Sequence, residues 1–220
     1  MKNEIKAVLF DFDDTLGDRE TYTHRTYCGK INEILPDAEP WYREAVIQQC
    51  LIYEQHGDVP KTYVRDMLLK KFGIDLGEDF PQYWRAHQPK NTVLYPDAMD
   101  TIAELRRRGY KIGILTNGEA DSQRYKVEST GLLDQIDALT ISGETDTRKP
   151  DPEIFRLTAE KLGLKPEECA FVGDMFLNDI YGAHQAGMTP VWIWPHSKAR
   201  YAEVDVIRIY QLKELLDLFQ

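Results

Sequence analysis

The stretch VLFDFDDTLGD, from Val8 to Asp18, places three carboxylates directly after a run of apolar, strand-forming residues. They belong to Asp11, Asp13 and Asp14. Two carboxylates held about 6 Å apart repel each other by roughly 3 kcal/mol at an effective dielectric constant near 20. A fold that gathers them at the end of a buried strand therefore needs a cation or a proton to compensate.

This strand is one of several short apolar runs that alternate with helical patterns along the chain. The runs are rich in β-branched residues and end in polar ones: KAVLFDF (6–12), KIGILTN (111–117), DALTISG (137–143), CAFVGD (169–174) and PVWIW (190–194). Continuous apolar strands of this kind are typical of a parallel sheet with helices on both faces. A weaker strand near Val206 to Ile209 precedes a last helical pattern, QLKELLDLF. The alternation predicts a doubly wound, Rossmann-like α/β fold.

The helices of this pattern have readable ends. Pro96 and Gly109 bracket DAMDTIAELRRR, Asp151 and Pro152 are the predicted N-cap and first turn of EIFRLTAEKLG, and Gly187 ends NDIYGAHQA. Proline is favoured at the first helical position and glycine just beyond the last one.

The segment from about Gly17 to Asn91 departs from the alternation. It carries helical periodicity and many aromatic residues but no convincing strand. We expect an all-helical insertion after the first strand. The predicted domains are therefore an α/β core, residues 1–16 and 92–220, and a helical insertion, residues 17–91.

Composition narrows the class of partner and compartment. The chain has 220 residues and a formal net charge of -10, which disfavours nucleic acid or an anionic membrane surface as the main partner. Its three cysteines, Cys28, Cys50 and Cys169, form no CxxC pair, which argues against a disulfide framework and a zinc site. The apolar run before Asp11 is too short for a signal peptide, and no later segment reaches membrane-span length. We expect a soluble, cytoplasmic protein.

Four predicted strand ends carry polar residues, and ligands of doubly wound sheets bind beyond the carboxyl ends of the strands. In chain order these residues are Asp11 and Asp13, then Thr116 and Asn117 before Gly118, then Lys149 before a prolyl turn, and last Asp174 after Gly173, with Asp179 about one helical turn later. The hydroxyl of Thr116 and the backbone N–H groups of the turn at Gly118 are suited to an anion.

Each of these signals alone has a structural interpretation. Asp13 and Asp14 are also common turn or N-cap residues, as Asp174 is for the helix after it. A calcium-binding loop fails on register, because its required glycine falls on Leu16 and its bidentate glutamate on Tyr22. A phospho-accepting receiver domain would need neither the long insertion nor an acidic motif as late as Asp174.

Taken together, the succession DxDDT, TN, KP and GDxxxxD, each after its own apolar strand, resembles the haloacid dehalogenase-like (HAD) superfamily of aspartyl hydrolases. The four motifs of that family are present in order, and the resemblance extends over the α/β part of the chain. The helical insertion resembles the cap of the family's first subclass.

The resemblance implies a role for each motif residue. Asp11 is the expected nucleophile, Asp13 the expected acid and base, and Lys149 the expected neutraliser of charge on Asp11 and the phosphoryl group. Thr116 and the backbone of Asn117 are expected to bind phosphoryl oxygens. Mg²⁺ is the expected cofactor, held by Asp11, the backbone carbonyl of Asp13 and Asp174, with Asp179 acting behind them.

The leading functional hypothesis is a Mg²⁺-dependent phosphatase of small soluble phosphomonoesters, of sugar-phosphate or nucleotide type, acting through an aspartyl-phosphate. Dehalogenating members lack an acid at the position of Asp13, so its presence favours phosphate esters. TNG at Thr116 to Gly118 resembles sugar-phosphate and nucleotide phosphatases, including N-acylneuraminate-9-phosphatase-like enzymes. A phosphomutase using the same intermediate, and a metal-binding regulatory module without significant turnover, remain as alternatives. We expect a monomer or a weak homodimer.

The helical insertion is expected to set substrate specificity by closing over the site. Seven of its aromatic residues are candidates for stacking on a substrate or, more commonly, for packing between helices: Tyr22, Tyr27, Trp41, Tyr42, Tyr53, Tyr63 and Trp84. Four basic residues are candidates for a second anionic group of the substrate or for solvated surface charge: Arg19, His24, Arg25 and Arg43.

Overall fold

The computed structural model describes residues 4–193 and 204–220, and it divides into two compact units. One unit is Met1–Asp18 with Leu94–Gln220, and the other is Arg19–Val93. These boundaries lie two residues beyond those expected from the sequence. Gly17 belongs to the first unit because it forms an antiparallel bridge with Leu94, and the N–H of Tyr95 donates to the carbonyl of Leu16 at 2.9 Å.

The first unit is built on a parallel sheet. Within the described residues its strands are β1 (Ala7–Phe10), β2 (Lys111–Thr116), β3 (Ala138–Ile141), β4 (Cys169–Gly173), β5 (Thr189–Ile193) and β6 (Ile207–Ile209), in the order β3-β2-β1-β4-β5-β6. Every neighbouring pair is parallel. The predicted doubly wound α/β fold is confirmed, and so is the weak last strand. Trp194, the end of the predicted run PVWIW, lies outside the described residues.

The second unit is helical. Its α-helices are α1 (Arg19–Ile34), α2 (Pro40–Glu54), α3 (Lys61–Phe72) and α4 (Phe80–His87), and no strand occurs among residues 19–93. Its own core contains Tyr27, whose ring lies 5.8 Å from Phe80 and 4.9 Å from Trp84, centroid to centroid. Aromatic rings therefore pack together with aliphatic side chains in the core of this unit.

The aromatic and basic candidates of this unit have different environments. Among the aromatic candidates, Tyr22, Tyr27, Tyr53 and Trp84 are buried, whereas Trp41, Tyr42 and Tyr63 are exposed. His24 pairs with Glu44 at the surface, at 3.1 Å. Arg19 is buried in an ion pair with Glu54. Its guanidinium group is therefore not a solvated surface charge, and its charge already has a partner within the protein.

Helices cover both faces of the sheet. Val8 and Phe10 of β1 pack into one apolar cluster with α5 (Ala98–Arg107), Val127 of α6 (Ala120–Ser129) and α9 (Leu215–Leu218). Ala7 and Leu9 point to the opposite face and pack against α7 (Pro152–Lys161) and α8 (Gly182–Ala186). Because successive side chains of a strand point to opposite faces, an unbroken apolar run fills both layers.

The predicted helix ends are largely confirmed. The carboxylate of Asp151 accepts a hydrogen bond from the N–H of Glu153 at 2.9 Å and caps α7. Helix α8 ends at Ala186, and the next residue, Gly187, is left-handed with φ 90°. Two helices differ in detail from the sequence pattern. A π-helical turn, Phe176–Tyr181, precedes α8, and a 3₁₀ turn, Leu212–Glu214, precedes the short α9. Among the described residues, no helix combines the length and apolar character that crossing a membrane requires.

Candidate active site

The sheet order brings the polar strand ends to one edge. Strands β2, β1 and β4 are neighbours, and they run parallel, so the residues that follow them emerge side by side. Asp11 continues the pairing by donating its N–H to the carbonyl of Val172 at 2.9 Å. Asp174 follows β4, and Thr116 is the last residue of β2.

Three carboxylates and an ammonium group form the centre of this edge. Carboxylate oxygens of Asp11, Asp174 and Asp179 lie within 4.8 Å of one another. The Nζ of Lys149 is 2.7 Å from Asp11 Oδ1 and 2.7 Å from Asp179 Oδ1, and Lys149 is only 3% exposed. The structure thus places the Lys149 ammonium inside the carboxylate cluster.

Asp179 reaches the cluster because of a local feature after β4. Its other oxygen, Oδ2, accepts a hydrogen bond from the N–H of Met175 at 2.9 Å, across the start of the π-helical turn. A Cβ atom at Gly173 would lie 2.4 Å from both Cβ and Cγ of Asp179. Position 173 must therefore be glycine for Asp179 to fold back beneath the strand end.

The electrostatics of the cluster are unbalanced. Burial raises the pKa of Asp11 to about 7; the charge of Asp179 adds to this effect and Lys149 opposes it. Burial, with the charges of Asp179 and Asp11, raises the pKa of Asp174 well above its usual value. Burial alone would lower the pKa of Lys149, but its two carboxylate neighbours outweigh burial and raise it. One ammonium does not compensate three carboxylates, so the site favours a further positive charge or a proton.

The residues present fit a divalent cation. Oδ1 of Asp174 is buried and has no hydrogen-bond partner among the described residues, whereas both oxygens of Asp179 already accept hydrogen bonds. An orphaned buried carboxylate oxygen is costly unless something binds it. The indole N–H of Trp192 donates to the backbone carbonyl of Asp174 at 2.8 Å and steadies this segment. An all-oxygen ligand set suits a hard cation such as Mg²⁺.

Asn117 joins the second motif to the third. Its Nδ2 donates to the carbonyl of Lys149 at 3.0 Å, and its Oδ1 accepts the N–H of Lys149 at 3.0 Å. The Asn117 side chain therefore fixes the backbone of the lysine. Thr116 is buried at the same edge, and the N–H of Gly118 donates to Ser142 Oγ at 3.1 Å.

Asp13 binds side chains that lie outside the four motifs. The Nζ of Lys126 lies 2.8 Å from its Oδ1 and 3.1 Å from its Oδ2, and the Nε2 of Gln123 lies 2.8 Å from Oδ2. Both partners belong to α6, whose buried residues are Gln123, Lys126 and Val127. One feature of the sequence indicates such partners. The helix after TNG lacks an apolar stripe, so polar side chains must occupy part of the face that it packs against the rest of the unit.

Asp14 has the turn conformation that one sequence interpretation favoured. It is left-handed, with φ 58°, and its N–H donates to the carbonyl of Gly17 at 2.9 Å. Aspartate is among the few non-glycine residues that adopt this conformation readily.

Comparison with known proteins defines the class. The family model of haloacid dehalogenase-like hydrolases matches residues 5–187. The chain is 35% identical over 203 residues to a glyceraldehyde 3-phosphate phosphatase of Methanopyrus kandleri, covering 86% of this chain and 84% of that one. It is 45% identical over 152 residues to a phosphoserine phosphatase of Thermus thermophilus, covering 69% of this chain and 54% of that one.

Two further relatives extend the comparison. The human N-acylneuraminate-9-phosphatase is 34% identical over 208 residues, with 87% of this chain and 83% of the human protein covered. The crystal structure of a HAD phosphatase from Thermococcus onnurineus has a TM-score of 0.66 and 33% identity, with 97% of both chains covered.

The chain belongs to the haloacid dehalogenase-like hydrolases. The relatives named above are phosphatases, and the expectation that this chain is an enzyme of that kind is confirmed.

Proposed function

We propose that the protein is a Mg²⁺-dependent phosphatase that hydrolyses small soluble phosphomonoesters through an aspartyl-phosphate on Asp11. The observation that carries this proposal is the position of Asp11. It is buried at the end of β1, bonded to the ammonium of Lys149, and grouped with the orphaned carboxylate oxygen of Asp174. In one cluster, Asp11 would supply the nucleophile, Lys149 the neutralising charge and the Asp174 oxygen a ligand for a cation.

The metal would be held by the carboxylates of Asp11 and Asp174, with the backbone carbonyl of Asp13 as a further ligand. When bound, Mg²⁺ supplies Lewis-acid stabilisation of the negative charge on the phosphoryl oxygens. Asp179 supports this set indirectly, because its two oxygens bind Lys149 and the N–H of Met175.

The covalent chemistry uses the two aspartates of the first motif. A carboxylate oxygen of Asp11 attacks phosphorus, the bond to the ester oxygen breaks, and Asp13 delivers a proton to the leaving alcohol. Water then attacks the phosphorus of the aspartyl-phosphate and gives a proton to Asp13. This second step releases phosphate and restores Asp11.

The remaining motif residues stabilise charge. Lys149 neutralises negative charge on Asp11 and on the transferring group, and Thr116 with the backbone of Asn117 binds phosphoryl oxygens. The geometry supports this role for Lys149, since its backbone is clamped by Asn117 and its ammonium by two carboxylates. Such preorganisation costs no rearrangement during the reaction.

The names of the relatives support a small phosphate ester as the substrate class. Their names specify a triose phosphate, a phosphorylated amino acid and a phosphorylated sugar acid. We propose a small phosphate ester of sugar-phosphate or nucleotide type, with selectivity set by the Arg19–Val93 unit, and an enzyme that acts as a monomer or weak homodimer. A cytoplasmic location is consistent with Cys28, Cys50 and Cys169, which are all free thiols.

The test is an assay of a panel of monoesters with Mg²⁺ and with EDTA. The panel contains sugar phosphates, nucleotides, phosphoglycolate, p-nitrophenyl phosphate and simple alkyl phosphates. We expect phosphate release with Mg²⁺, its loss in EDTA, and its loss by about four orders of magnitude or more in Asp11→Asn, because the nucleophile is removed. Asp100→Asn, an exposed aspartate on α5, is the matched control. Phosphate release by Asp11→Asn at the wild-type rate would overturn the assignment of the nucleophile.

A further inference from the structure

The buried face of α6 carries two polar side chains, Gln123 and Lys126, beside the apolar Val127. Gln123 and Lys126 are 4% and 3% exposed, and they lie three residues apart, on one side of the helix. Lysine is almost never buried unless its charge is paired, because leaving water is costly. The position of Lys126 therefore requires a partner, and the identity of that partner indicates what the helix is for.

The partner is the Asp13 carboxylate, which receives three short contacts from this face. Lys126 Nζ lies 2.8 and 3.1 Å from its two oxygens, and Gln123 Nε2 donates to Oδ2 at 2.8 Å. The contact joins residues 113 positions apart in the chain. An ammonium and an amide together hold both carboxylate oxygens, which fixes the orientation of the group as well as its place.

Gln123 also binds the loop that follows β2. Its Nε2 donates to the carbonyl of Asn117 at 3.0 Å. A Cβ atom at Gly118 would lie 2.7 Å from that nitrogen and 2.8 Å from Gln123 Cγ, so only glycine leaves room for this side chain. The amide thus sets the distance between Asp13 and the loop proposed to bind the phosphoryl group.

We propose that Gln123 and Lys126 are positioning residues that hold Asp13 for proton transfer to the leaving alcohol. This inference rests on the proposed phosphatase function. As Asp13 gives up its proton, negative charge develops on its oxygens, directly against the Lys126 ammonium. A preorganised cation facing a charge that grows in the transition state lowers the barrier.

A merely structural ion pair would behave differently. A good leaving group such as p-nitrophenolate needs little protonation, whereas an alkoxide needs a great deal. Loss of the positioning residues therefore harms alkyl phosphates more than p-nitrophenyl phosphate. Loss of a structural contact distorts the site and harms both alike. Values of kcat/KM report the steps up to release of the alcohol, which is the step that Asp13 assists.

The experiment compares Lys126→Met and Gln123→Met with wild type, using p-nitrophenyl phosphate and the alkyl phosphate that wild type hydrolyses fastest. We expect kcat/KM for the alkyl ester to fall in Lys126→Met by at least about tenfold more than kcat/KM for the aryl ester, and in Gln123→Met by a smaller margin in the same direction. Lys161→Met, a lysine of α7 that binds Leu139 O and Thr140 Oγ1, is the control and should leave the ratio unchanged.

A double substitution guards against misfolding and indirect effects. In an Asp13→Asn background, Lys126→Met should leave kcat/KM unchanged for both the alkyl and the aryl ester, because the carboxyl group that Lys126 positions is gone. Equal losses for both esters in the single variants, or an undiminished effect of Lys126→Met in that background, would overturn the proposal. If wild type hydrolyses neither ester with Mg²⁺, the proposed function fails instead, so the two failures are distinguishable.

Discussion

Each unit of the molecule contains a buried ion-pair network, and the two networks differ in balance. In the Arg19–Val93 unit, the single carboxylate of Glu54 is bound by the guanidinium group of Arg19 and by Lys61 Nζ, the latter at 2.6 Å. In the α/β unit, the single ammonium of Lys149 faces the carboxylates of Asp11 and Asp179, with that of Asp174 close by.

The difference in balance appears in the pKa values. Burial would raise the pKa of Glu54, but Arg19 and Lys61 outweigh it, and the pKa falls below its usual value. Burial raises the pKa of Asp11 and of Asp174, and their shared lysine does not reverse this. Carboxylates are compensated in a network that holds a structure together. They are left under-compensated in the cluster for which we propose a bound cation.

The largest expected effect of breaking either network is on activity, through Lys149. Lys149→Met should lower kcat/KM for a phosphate monoester by about 1,000-fold, because it removes a fixed positive charge from the transferring group. The measurement is steady-state kinetics at saturating Mg²⁺, with circular dichroism to verify folding.

Lys61→Met is the matched control, because it removes a lysine from the other network. Its kcat/KM should stay of the same order as wild type, since Lys61 binds Glu54 and lies 4.2 Å from the ring of Trp84. Comparable losses of activity in the two variants would mean that charge balance does not separate the networks by function.

The next largest effect is on stability, through Glu54, which is 2% exposed. Glu54→Gln should lower the free energy of unfolding by about 4 kcal/mol at neutral pH, because it leaves Arg19 buried without its charge partner. The measurement is urea unfolding. Glu104→Gln, which removes an ion-pair partner of Arg107 at the surface, is the control and should cost far less.

The difference in unfolding free energy between wild type and Glu54→Gln should depend on pH with a definite sign. Because the pKa of Glu54 is depressed in the folded state, its contribution is fully present above its unfolded pKa, about 4.3, and is lost as the pH falls through the folded value. The gap between wild type and Glu54→Gln should therefore close in acid. A gap that is constant from pH 7 to the acid transition would show that the charge of Glu54 is not what stabilises the unit.

The smallest expected effect is a metal-dependent shift of the melting temperature. Mg²⁺ at about 100 times its dissociation constant should stabilise the native state by about 2.7 kcal/mol, or roughly 5 to 10 °C for a chain of this length. Asp174→Asn should abolish the shift, whereas Asp100→Asn should keep it. A shift that survives Asp174→Asn would place the cation elsewhere.

The parts of the fold that sequence patterns predicted are local ones. Apolar runs set the strands, Asp151 sets the start of α7, and Gly187 sets the end of α8. Each depends on a few consecutive residues, so each can be recognised without knowing what packs against it. The order of four motifs after four strands also placed Asp11, Thr116, Lys149 and Asp174 at one edge, because parallel strands end together.

Other features depend on contacts between distant positions. The pairing of Arg19 with Glu54 spans 35 residues, and the clamp of Asn117 on Lys149 spans 32. Nothing local in TNG or in ADSQRYKVES identifies Asp13 as the partner of Lys126, because that helix is adjacent to Asp13 only once the sheet has formed.

By itself, the sequence determined the alternating strands and helices, the helical insertion and the acidic strand end at Val8 to Asp18. The tertiary structure alone decided which charges remain unbalanced. Burial and the register of neighbouring strands fix the distances between charged groups, and those distances determine whether a carboxylate is neutralised by a nearby cation or left to bind one.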